Sequence, residues 1–96
     1  MATHSGELPI PPPAELDAKG VELARIWAAQ GRQYVTIRTT VWKDPAAWGL
    51  MLVDLAKHVA NAYAREAGVD ENTVLERIKR GFDAEWGHPT DEPRPA

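Results

Sequence analysis

A small α+β fold, a β-hairpin followed by two helices (ββαα), is what this sequence dictates. Residues 22–42 are rich in Val, Ile, Thr, Tyr and Trp and are interrupted at Gln30-Gly31, the pattern of two strands joined by a tight turn. Residues 44–66 (DPAAWGLMLVDLAKHVANAYARE) then carry apolar side chains at helical spacing, and a second such pattern opens at Asp70.

The chain opens on small, polar residues and then on Pro9 and Pro11 to Pro13. Proline fixes φ near −65° and pushes the residue before it away from the helical region, so an extended, polyproline-like stretch is expected. Residues 1–13 thus read as a flexible Pro-rich arm lying over the protein's own tryptophans, or else as a ligand for a proline-reading module. Residues 14–87 read as one small α+β domain. Within it, Ala14 to Lys19 suit one short helical turn, ended by Gly20.

Glu22 to Ala29 and Arg32 to Trp42 form the expected strands. A two-residue turn at Gln30-Gly31 sets Ile26 opposite Val35, Ala24 opposite Ile37, Trp27 opposite Tyr34 and Arg25 opposite Thr36. Directly opposed residues share a face. One face is then aliphatic (Ala24, Ile26, Val35, Ile37) and is expected to lie on the helices. The other is mixed: Leu23, Arg25, Trp27, Tyr34, Thr36 and Arg38. A one-residue slip would exchange the two.

Asp44-Pro45 starts the long helix, Asp as a cap and Pro at the first helical position, and Gly68 ends it. At about 100° per residue its apolar arc, from Met51 round through Leu55, Trp48, Val59, Leu52 and Tyr63 to Ala64, spans roughly 220°. One neighbour needs a stripe of only about 100°. Asp70 caps the last helix, Glu71 to Trp86, where Val74, Leu75, Ile78, Phe82 and Trp86 make an ordinary single stripe. Glu76 with Arg80 and Lys79 with Asp83 are spaced for pairing on its outer surface. Gly81 suggests close approach by another backbone. Residues 88–96 (HPTDEPRPA) lack an apolar cluster and are expected to be a disordered tail.

Composition narrows the function classes. The chain has 96 residues, 44% of them hydrophobic, no cysteine and a formal net charge of -3. There is no disulfide framework and no thiolate metal site. The acidic balance opposes bulk attraction to nucleic acid or to an anionic membrane. No apolar run approaches the ~18 residues of a membrane span, and the cytoplasm is the expected location. A hairpin alone is marginal and leaves two unpaired strand edges. Those edges and the wide helical arc both call for a partner. A second copy of the same chain is the expected one, with hairpins and long helices at the interface.

Glu22, Arg25 and Trp27 on the first strand, Asp44-Pro45 and Trp48-Gly49 at the helix start, and Asp54, His58, Ala60 and Tyr63 within the helix carry a resemblance. Over Val21 to Tyr63 the sequence resembles a family of short, uncharacterised alphaproteobacterial proteins catalogued as a domain of unknown function, the family numbered 5076. The resemblance implies a bacterial cytoplasmic protein. It brings no substrate, cofactor or catalytic residue with it.

Side chains that could carry chemistry are few. His58 and Asp54 stand four apart on one helix face, where a carboxylate could orient an imidazole for general base work. They share a narrow polar strip with Lys57, Asn61 and Arg65, and a solvated face with weak charge pairing is the favoured reading. His4, His58 and His88 are too scattered for a metal site, and no phosphate-cradling glycine motif occurs, so neither metal nor cofactor is expected. Trp27 and Tyr34 beside Arg25 and Arg38 could hold single-stranded nucleic acid. They could also pack under a tail or against another subunit, the arginines bridging to Glu22 or Glu15.

The sequence therefore predicts a non-enzymatic assembly or protein-interaction domain acting as a homodimer with an unknown protein partner. Trp27, Tyr34 and Trp42 would be its anchors, and Arg25 and Arg38 would set polar registration. The alternative is a small-molecule binder or enzyme with a cleft between subunits, Arg25 holding an anion and His58 with Asp54 moving protons. A nucleic-acid binder is third.

Overall fold

The computed structural model describes residues 4–88. The tail expected over residues 88–96 therefore lies outside the described residues except for His88, as do residues 1–3 of the arm. The order is α1 (Pro12–Leu16), β1 (Ala24–Ala29), β2 (Arg32–Ile37), α2 (Ala46–Ala67) and α3 (Glu71–Gly87). The expected α+β arrangement, a hairpin followed by two helices, is present. Two compact units divide between Arg38 and Thr39.

The first unit holds the arm, α1 and the hairpin. Pro12 and Pro13 lie inside α1 rather than in an extended stretch, which corrects the expected helical start at Ala14. The physical reason is that a φ near −65° is common to polyproline and helix, and a first-turn N–H has no intrahelical partner to lose. Pro11, before the helix, keeps the extended conformation (φ -59°, ψ 139°).

β1 and β2 pair antiparallel in the expected register, Trp27 with Tyr34 and Ile26 with Val35. Gln30 and Gly31 both take positive φ (52° and 71°), the geometry that matches the twist of the flanking strands. β2 stops at Ile37, not Trp42, because β1 offers no partner past Leu23, whose carbonyl accepts from the Arg38 N–H at 2.9 Å. On the aliphatic face, within this unit, Ala24 and Val35 are half-buried and Ile26 and Ile37 are each more than half exposed.

The second unit is an αα-hairpin. α2 begins at Ala46 with Pro45 at its N-cap and no side-chain cap bond, which corrects the expected Asp44 cap with Pro45 first in the helix. Asp44 sits one residue earlier, where its Oδ1 accepts from the Ala46 N–H at 3.0 Å and its carbonyl from Ala47 at 3.0 Å. Gly68, at φ 69°, ends α2, its N–H bonding the Ala64 carbonyl at 3.1 Å. Asp70 Oδ2 accepts from both the N–H and the hydroxyl of Thr73 at 2.9 Å, capping α3. Lys79 Nζ meets Asp83 Oδ2 at 2.7 Å on the outer face. The short connection folds α3 back on α2, with which it is in contact. Ala60 of α2 is fully buried.

A close approach expected at Gly81 is absent: a Cβ built there would meet nothing within 4 Å among the described residues. Trp42 lies in the segment before α2 rather than on a strand, and its ring sits edge-on to Trp48 at 5.1 Å.

Candidate functional site

The register places Arg25, Trp27, Tyr34, Thr36 and Arg38 on one side of the hairpin, and the structure shows what holds them there. Glu22, just before β1, gathers both arginines. Its carboxylate accepts from Arg25 Nη2 at 3.1 Å and from Arg25 Nε at 3.3 Å, while its backbone carbonyl accepts from Arg38 Nε at 3.0 Å. Glu7 takes the remaining edge of the Arg25 guanidinium, Nη1 to Oε2 at 2.5 Å. Hydrogen bonds to Glu22 first and Glu7 second raise the Arg25 pKa above its ordinary value, because both carboxylates favour the charged guanidinium. Glu22, Arg25, Thr36 and Arg38 line an open depression.

The arm reaches this face. Residues His4 to Glu7 form a turn in which the Glu7 N–H donates to the His4 carbonyl at 3.0 Å and the Gly6 N–H donates to His4 Nδ1 at 2.8 Å. The His4 ring stands edge-on to Trp27, centroids 4.9 Å apart at 74°. A Cβ at Gly6 would touch Trp27 Cζ3 at 3.4 Å, an ordinary contact, and would crowd the arm's own His4 ring at 3.2 Å from Nδ1. Such ring pairs contribute about 0.5–1.5 kcal/mol beyond area burial. Partly exposed ion pairs add little, because water screens them. The arm is thus seated by a few modest contacts.

The strand register sets Arg25 and Trp27 opposite Thr36 and Tyr34, the alternation read from the sequence. Sequence reasoning missed His4 and Glu7. It looked to Glu22 or Glu15 for the arginines, and the structure supplies Glu22 and Glu7. The only signal was a covering arm in front of the hairpin; nothing in the spacing singles out an acid 18 residues from Arg25. Tyr34 donates a long hydrogen bond, 3.5 Å, to Gln30 Oε1. Trp42 belongs to the helical unit, where it meets Trp48. His58 Nε2 and Asp54 Oδ2 stand 3.5 Å apart with side chains 76% and 73% exposed.

On α2, Leu52, Leu55, Val59 and Tyr63 form a continuous row that stays 46%, 41%, 38% and 56% exposed. Phe82 and Trp86 of α3 stack at 5.6 Å and are also open. No group of three or more His, Asp or Glu side chains is placed to hold a metal ion among the described residues. Among them, too, no helix is long and apolar enough to cross a membrane.

A family model described as a domain of unknown function (DUF5076) matches residues 7–90. A solved structure named "Structure of a putative pyruvate dehydrogenase from the photosynthetic bacterium Rhodopseudomonas palustrus CGA009" is similar to the chain. It is 36% identical, covers 99% of this chain and 97% of that one, and superposes with a TM-score of 0.76. No curated protein matches.

Proposed function

The chain belongs to the DUF5076 family, and from that premise we propose that it is a non-enzymatic cytoplasmic assembly or protein-interaction domain that works as a homodimer. One observation carries this reading: Ala60 is the sole buried apolar residue among those described, and no large side chain is fully covered. A chain of this size must offset the entropy of ordering its backbone with buried apolar surface. The row Leu52, Leu55, Val59 and Tyr63 offers that surface to a second copy. It occupies the part of the wide α2 arc that α3 leaves open. Trp27, Tyr34, Arg25 and Arg38 on the hairpin, and Trp42 before α2, remain the candidate anchors for a further protein partner.

Sedimentation equilibrium tests the dimer. The native protein, 10.6 kDa per chain, should sediment at twice that mass at micromolar concentration. Val59→Lys should move the mass to the monomer, because an ammonium group in an apolar seam has no partner. A native protein that sediments as a monomer would remove the reading.

The similar structure's name supports a second reading, an enzyme that acts on pyruvate. Arg25 would be the cation for the carboxylate, yet Glu22 and Glu7 already engage it. Pyruvate would therefore have to displace a carboxylate of the chain itself. Calorimetric titration with pyruvate tests this: saturable heat that disappears in Arg25→Ala favours the enzyme, and its absence from the native protein counts against it. The nucleic-acid reading loses support for the same reason, since Glu22 and Glu7 neutralise the charge the platform would offer.

A further inference from the structure

We propose that the mixed face of the hairpin is a peptide-binding site that the chain's own residues His4 to Glu7 keep closed, and that its external ligand is an acidic turn carrying an aromatic or imidazole ring three residues before a carboxylate. The inference deepens the interaction reading of this face and rests on it.

The seated arm shows what the site recognises. Its ring meets Trp27 edge-on at 4.9 Å. Its carboxylate pairs with Arg25 Nη1. Its glycine leaves room for the His4 ring to fold back over the turn. The turn that sets ring and carboxylate on one side is closed by bonds within the arm itself, Glu7 N–H to the His4 carbonyl and Gly6 N–H to His4 Nδ1. A free peptide with the same turn brings the same groups. The receiving side is preorganised without the arm: Glu22 holds Nε and Nη2 of Arg25, which leaves Nη1 for an incoming carboxylate. Trp27 is fixed opposite Tyr34 by the strand register.

The arm is also built to leave. Among the described residues, the polar and ring contacts that seat it on the hairpin are the His4–Trp27 pair and the Glu7–Arg25 ion pair, whose two side chains are part-exposed. The residues that follow it, Leu8 and Ile10, are exposed and do not anchor it. An occupant held this lightly reduces the affinity of a competitor only by the fraction of time the site stands open.

The test uses the full-length chain and a fluorescein-labelled synthetic peptide of residues 4–10 (HSGELPI). Fluorescence anisotropy should show the peptide binding a His4→Ala/Glu7→Gln chain about tenfold more tightly than the native chain. Peptides in which Ala replaces the histidine or Gln replaces the glutamate should bind at least several-fold more weakly. Arg25→Ala in the opened chain should abolish binding. Equal affinity of the peptide for native and opened chains would overturn the proposal, as would equal binding of peptides without ring or carboxylate. Loss of the far-UV circular dichroism in the opened chain would also overturn it, because the arm would then be a structural part and not an occupant. Sedimentation of the same samples separates the two readings. A monomer that binds the peptide removes only the α2 seam, and a dimer that ignores the peptide removes only this site.

Discussion

Two glycines with helical neighbours have opposite consequences. Gly68 sits at φ 69°, a conformation an L-residue adopts only at a cost, and a Cβ there would meet no neighbour within 4 Å among the described residues. Gly68→Ala should therefore destabilise the protein by about 1 kcal/mol through the backbone alone. Gly81 lies inside α3 with the same empty surroundings but without a positive φ. Gly81→Ala should stabilise it by about 1 kcal/mol, the difference in helix propensity. Urea unfolding of the two variants measures both signs. A loss of stability at Gly81 would mean that a second copy's backbone lies against it. Among polar residues, Glu22 contributes most to the site, since one side chain and its own carbonyl orient two arginines.

At the level of the element, caps and faces decide the outcome. The Asp70 carboxylate serves two donors of Thr73, so Asp70→Ala should cost about 1 kcal/mol and shorten α3 from its N-terminal end. Loss of helical circular dichroism together with a lower unfolding midpoint checks it. α2 shows the larger principle. Its narrow polar strip, with Asp54 and His58, faces water, where an ion pair four residues apart adds only a few tenths of a kcal/mol. Its apolar arc is wider than α3 covers. The excess row from Leu52 to Tyr63 is a property of the helix alone, visible in the spacing of its residues. The strand lengths were less visible. Trp42 has the composition of a strand residue, but a strand also needs a partner, and the ladder ends at Leu23 and Arg38.

For the whole molecule, the decisive quantity is how little of the chain's large apolar surface is covered. If a second copy completes that cover, folding and association are linked, and the thermal midpoint should rise with protein concentration. A midpoint that stays constant between micromolar and hundred-micromolar protein would show that the chain completes its own fold. The sequence by itself determined the order of the hairpin and the two long helices, the hairpin turn and register, and the helix ends at Gly68 and Asp70. Each of these depends on contacts a few residues apart or on a strict alternation, which a linear pattern carries. Only the tertiary structure decided that His4 and Glu7 close the mixed face, that Pro12 and Pro13 enter a helix, and that Trp42 turns to Trp48. Those outcomes depend on which distant groups meet, or on a choice between two conformations that share one φ, and spacing along the chain holds no record of either.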